Sequence, residues 1–148
     1  MSDSRLAAIV LALALPVCGP APAAAGERVA GPVEARVVRV IDGDSFVAEA
    51  HVWPGHRITV TVRLRGIDAP ELRARCAAER RAAERARAAL AGLIGDGPVR
   101  LRAVGGGKYF GRVVADVTTA DGTDVAQHLL ARALAAAYDG SRRRPVVC

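Results

Sequence analysis

Ile58-Thr59-Val60-Thr61-Val62-Arg63-Leu64-Arg65 is the stretch on which the fold turns. Apolar side chains at 58, 60, 62 and 64 alternate with Thr59, Thr61, Arg63 and Arg65, the two-residue period of a strand with one buried face. The other face presents threonine and arginine. Gly66-Ile67-Asp68-Ala69-Pro70-Glu71 follows at once, placing two carboxylates where the strand gives way to a helix.

Upstream, Val33–Ile41 is a β-branched run and reads as a strand. Asp42-Gly43-Asp44 is a turn signal, and Ser45–Ala50 returns as a second strand. Trp53-Pro54-Gly55-His56 has Pro and Gly where a type II turn needs them. Trp53 is expected to pack rather than to serve as a base-stacking platform.

Downstream, the period becomes helical from Leu72 to Ile94, with Leu72, Cys76, Ala83, Leu90 and Ile94 on one stripe. Gly95-Asp96-Gly97-Pro98 stops it. Val99–Val104 and Arg112–Thr118 read as two more strands, and Asp124–Ala137 as a second helix. Three strands, a helix, two strands and a helix fit an α+β, mainly β, five-stranded oligonucleotide/oligosaccharide-binding (OB) barrel. Aromatic residues are only 3% of the chain, so Ala, Val and Leu must fill its core.

Residues 1–25 have a different character. Arg5 precedes an apolar run from Leu6 to Val17, and the segment closes on Ala21-Pro22-Ala23-Ala24-Ala25. That order is a secretory signal peptide, with cleavage expected between Ala25 and Gly26. A spanning helix needs about 20 apolar residues, and Pro16, Gly19, Pro20 and Pro22 interrupt this one. The expected product is periplasmic or secreted, a monomer with no stable membrane association. Residues 26–32 read as a linker, 33–140 as the domain, and 141–148 as a basic tail ending in Cys148. Cleavage removes Cys18 and leaves Cys76 and Cys148. In an oxidising compartment two cysteines suggest one disulfide, against the alternative of two unpaired thiols.

Net charge is +6, which favours a polyanionic partner such as nucleic acid without specifying one. The chemistry rests on three separated segments: Asp42-Gly43-Asp44, Arg63 with Asp68-Ala69-Pro70-Glu71, and Gly111-Arg112. Singly, they are a hairpin turn, a helix start and a solvated arginine. Together they supply hard oxygen ligands for Ca²⁺ or Mg²⁺, a carboxylate to orient or deprotonate water, and two guanidinium groups for a phosphate. Metal-assisted phosphodiester hydrolysis needs those groups. Other features of the sequence do not have the spacing of a site. His51, His56 and His128 share no metal-ligand interval, Gly105–Lys108 lacks the rest of a P-loop, and Asp42-Gly43-Asp44 lacks the terminal Glu of an EF-hand.

Val40-Ile41-Asp42-Gly43-Asp44-Ser45, Val62–Glu71 and Tyr109-Phe110-Gly111-Arg112 resemble the three signature segments of the micrococcal (staphylococcal) nuclease, or thermonuclease, family. The resemblance covers nearly all of 33–138. It implies an OB barrel, Ca²⁺ dependence, and cleavage of DNA and/or RNA to 3′-phosphate products. Carried across by position, Asp44, Asp68 and the Ala69 carbonyl are implied calcium ligands, with Asp42 behind them. Glu71 is the implied water-positioning group or general base, and Arg63 and Arg112 the implied phosphate contacts. Lys108, Tyr109 and Tyr138 fall near the family's nucleotide contacts. Three departures stand out: Ala69 replaces a usual Thr, the segment after Glu71 is short, and Ala133 sits where Gly is frequent. Two other classes compete: a non-catalytic OB-fold oligonucleotide-binding barrel, and a calcium-stabilised interaction domain.

Overall fold

The computed structural model describes residues 27–141. Its elements are β1 (Arg28–Val29), β2 (Val33–Asp42), β3 (Ser45–Trp53), β4 (His56–Leu64), β5 (Ile67–Asp68), α1 (Ala77–Ile94), β6 (Pro98–Gly106), β7 (Arg112–Thr119), α2 (Val125–Ala131) and β8 (Ala136–Ala137). Strands β6, β2, β3, β4 and β7 pair in that order, and β7 pairs again with β6, closing a five-stranded barrel. All contacts around it are antiparallel except β4 with β7, which is parallel.

Alternation in β4 decides the inside. Val60, Val62 and Leu64 are buried, while Thr61 and Arg63 between them lie at the outer surface. Among the described residues Phe46 is the one aromatic side chain of the core, and the rest is Leu, Ile, Val and a notable share of Ala, including Ala35, Ala48, Ala50 and Ala115. Small side chains let the wall and helices approach closely. Helix α1 buries Ala83, Ala86, Leu90 and Ile94, a stripe at helical spacing. It packs on β2 and α2. Truncating Leu90, which is wholly buried, to Ala would cost about 2–5 kcal/mol.

Gly43 shows how close the approach is. A Cβ there would lie 2.6 Å from the Ala86 Cβ and 2.7 Å from the Ala69 Cβ. Glycine at 43 and alanine at 86 therefore let the β2–β3 turn, carrying Asp44, press against α1.

Both helices depart from their sequence expectations. Helix α1 begins at Ala77 with Cys76 as its N-cap, not at Leu72. Residues 71–76 form turns and bends, held where the Arg80 guanidinium donates to the carbonyls of Ala74 and Arg75, at 2.9 Å each. Helix α2 ends at Ala131, not Ala137, because Ala133 adopts φ 53°, a left-handed conformation that a right-handed helix does not accommodate. The Ala133 and Leu134 amides donate back to the Leu130 and Leu129 carbonyls, both at 3.0 Å. Ala136 and Ala137 then pair with Asp68 and Ile67 as β8 against β5. Arg28 and Val29, read as linker, pair with Gly105 and Val104. Trp53, expected to pack, is 72% exposed. No described helix is long and apolar enough to cross a membrane.

Candidate active site

Asp44 follows the tight turn at Gly43 and is only 3% exposed. A buried carboxylate needs partners, and Asp44 has them on both oxygens. Oδ2 accepts the Ala69 amide at 2.9 Å, and Oδ1 accepts the Ser45 hydroxyl at 2.8 Å. Oδ1 also pairs with Arg63 Nη1. The other terminal nitrogen, Nη2, donates to Asp68 Oδ1 at 3.0 Å and to the Ile67 carbonyl at 3.2 Å. One guanidinium therefore draws together two aspartates 24 positions apart in the chain (68 minus 44).

Burial by itself would raise the Asp44 pKa. The Ala69 amide, the Arg63 charge and the Ser45 hydroxyl outweigh it and hold the carboxyl below its ordinary value. Asp42 goes the other way: burial, then the neighbouring Asp44 charge, push it up. Its Oδ1 accepts the Asp44 amide at 3.2 Å. Burial would lower the Arg63 pKa, but Asp44 and Asp68 raise it overall, keeping it cationic.

Arg112 reaches the same place through the parallel pairing. Thr61 is opposite Arg112 and Arg63 is opposite Val114. Paired residues share a face, so Arg63 and Arg112 are diagonal neighbours on the outer wall. Arg63, Asp68, Lys108, Tyr109, Arg112, Val114 and Tyr138 surround one cleft of about 380 Å³. Tyr109 lies 5.6 Å from both the Lys108 and Arg112 cationic groups, and Tyr138 lies 6.0 Å from that of Arg63. Gly107 fixes the base of the hairpin: its amide donates to the Arg112 carbonyl at 2.8 Å, and a Cβ there would lie 2.9 Å from the Arg112 Cγ.

Glu71 is exposed. It lines neither this cleft nor the adjoining hollow formed by Asp68, Glu79 and residues 133–139. Its backbone amide approaches Glu79 Oε1 at 3.4 Å. Cys76 is not a free thiol, and its expected partner Cys148 lies outside the described residues, as does the expected signal peptide.

The donor set suits a hard divalent cation in kind: two carboxylates gathered at one point, with the Ala69 carbonyl in the adjoining segment. Arg63 supplies the positive charge there. Among the described residues no three His, Cys, Asp or Glu side chains form a metal-holding group. Side chains could thus contribute two ligands, with backbone and water completing the shell.

Three contributors were given no role in the sequence reading. Ser45 and Glu79 bond to Asp44 and Glu71. Arg65 donates to the Val114 carbonyl at 2.9 Å, to the Ala103 carbonyl, and to Asp116 at 3.1 Å. It ties down β6 at its register break between Arg102 and Gly105. Only its outward place in the alternating strand hinted that Arg65 would have polar partners.

A closed OB-type barrel with a cationic cleft on its outer wall defines a nuclease-like or nucleic-acid-binding class of protein. The family model described as "Staphylococcal nuclease homologue" matches residues 61–146, and the chain belongs to that family. The match starts within β4, beyond Asp42 and Asp44. No curated protein matches the chain.

Proposed function

We propose that this chain is an exported, calcium-dependent nuclease that hydrolyses phosphodiester bonds of DNA and/or RNA and leaves 3′-phosphates. One observation carries the reading: Arg63, Asp68 and Arg112 face a common cleft, and Asp44 is tied to the same Arg63 guanidinium. Family membership supports it.

In this mechanism Arg63 and Arg112 hydrogen-bond the non-bridging oxygens of the scissile phosphate and offset the charge that builds on them. Arg112 also faces the leaving oxygen. Glu71 orients a water or takes its proton. Asp44, Asp68 and the Ala69 carbonyl would hold Ca²⁺, which supplies Lewis-acid polarisation of the phosphate when bound. Lys108, Tyr109 and Tyr138 contact the nucleotide. The leader is removed after Ala25 and a Cys76–Cys148 bridge forms outside the cytoplasm.

The position of Glu71 outside the cleft favours a second reading, a barrel that binds oligonucleotides without cutting them. A nuclease assay on the exported chain separates the two. Cleavage of single-stranded DNA or RNA should need Ca²⁺, stop in chelator, and fall by at least about 100-fold in Glu71→Gln. Binding without turnover across a range of calcium and alkaline pH would establish the second reading instead.

A further inference from the structure

Trp53 is the single tryptophan of the chain, and it stands largely in water at the end of the β3–β4 hairpin. Neither the core nor the proposed chemistry uses it. Every residue from His51 to Thr59 is exposed. Trp53 pairs with His56 across Pro54-Gly55, past a register break after His51 that puts it on the His56 side of the hairpin, with Arg57 on the other. His51, Trp53, His56 and Arg57 line one open hollow of about 750 Å³.

A polar track joins this hollow to the cleft. Because Val60, Val62 and Leu64 point inward, Arg57, Thr59, Thr61 and Arg63 share the outer side of β4. Arg63 lines the cleft and Arg57 lines the hairpin hollow. Six residues of strand separate them by about 20 Å. Thr61 is opposite Arg112, so the track begins within the cleft. Glu49, opposite Thr59, is the one carboxylate paired along it.

We propose that the hairpin tip is a second binding site, where the strand that occupies the cleft runs along the track to meet Arg57 with a phosphate and crosses the tip to stack an unpaired base on Trp53. Trp53 and Arg57 line the same hollow, and an aromatic face combined with a cation is the chemistry that holds single-stranded nucleic acid. A paired, stacked base has no free face to offer, so the ligand is single-stranded. The barrel position agrees, since the second and third strands of OB barrels carry oligonucleotides, and β3 and β4 are those strands here. The proposal rests on the nuclease reading for the strand's presence in the cleft.

Trp53 emission reports on this site alone, because the chain has no other tryptophan. In chelator, a 12-nucleotide single strand should quench it and bind at least about tenfold more tightly than a trinucleotide. Arg57→Glu should weaken the 12-mer by about tenfold. With calcium, KM for the 12-mer should lie about tenfold below that for the trinucleotide, and Trp53→Ala should erase that gap. Emission indifferent to the 12-mer, or a length dependence that survives Trp53→Ala, overturns the site. Cleavage with a length-independent KM and no quenching retains the nuclease and removes the hairpin site. Quenching by the 12-mer without any cleavage does the reverse. A response only to phosphatidylglycerol vesicles makes the hairpin a membrane contact and also overturns the proposal.

Discussion

Arg63 and Asp44 form an ion pair at the outer wall of the barrel, and the same guanidinium also holds Asp68. Arg63 therefore stands as a cation paired with both carboxylates proposed for calcium. An ion added there must share them with Arg63 or displace it.

Arg63→Gln should lower stability in chelator by about 3 kcal/mol, because it leaves Asp44 buried without its charge partner. Removing the competing cation should also strengthen calcium binding. Thermal melts with and without calcium, in the absence of nucleic acid, read both effects. The calcium-induced rise in Tm should be larger in the variant than in wild type. An equal or smaller rise would show that Arg63 does not compete with the ion.

Asp42 and Asp44 have opposite linkage to pH. The pKa of Asp44 is held below 3.8, so its stabilising contribution is present above that value and is lost as pH falls through the lower folded pKa. The pKa of Asp42 is raised above 3.8, so its charged form costs stability above the folded pKa, and that cost vanishes below 3.8. Asp42→Asn keeps an acceptor for the Asp44 amide while removing the charge. Melts in chelator should show the variant more stable at about pH 7, converging with wild type near about pH 3. A lower Tm at neutral pH would contradict this assignment.

Ala133 holds a left-handed backbone at the end of α2. Ala133→Gly should stabilise the chain by about 1 kcal/mol, since relief of the left-handed strain exceeds the added entropy of the unfolded glycine. The denaturant midpoint should rise with the slope of the transition unchanged. A midpoint at or below wild type would place the cost of this turn elsewhere.

Gly43→Ala should cost about 2 kcal/mol through overpacking against Ala86 and Ala69. Ala86→Gly opens space opposite the new methyl but loses helix propensity, about 1 kcal/mol. In a double-mutant cycle the two changes should couple favourably by at least about 0.5 kcal/mol. Additive losses would mean that α1 does not press on this turn.

Much of the barrel was legible because strand periodicity is local. Each inward side chain of β4 has a polar neighbour outward, and that contrast survives in one dimension. Helix ends were less legible. Leu72 and Cys76 fit a helical stripe, but residues 71–76 follow Pro70 and turn instead. The sequence beyond α2 was equally misleading: Leu134 through Ala137 are good helix formers, yet left-handed Ala133 and the pairing of β8 with β5 override their propensity. Trp53 failed as a packing residue because hydrophobicity alone does not say whether a hairpin tip meets another surface.

The residue types of the cleft, the alternation that sends Arg63 outward, and the turn at Gly43 were determined by the sequence itself, since each depends on neighbours a few positions away. Only the tertiary structure decided that Arg63 bridges Asp44 and Asp68, that Arg112 is its diagonal neighbour, and that Glu71 stays outside. Those relations depend on the register of β4 against β7 and on the packing of α1 against the β2–β3 turn. Both are long-range contacts, set when the barrel closes.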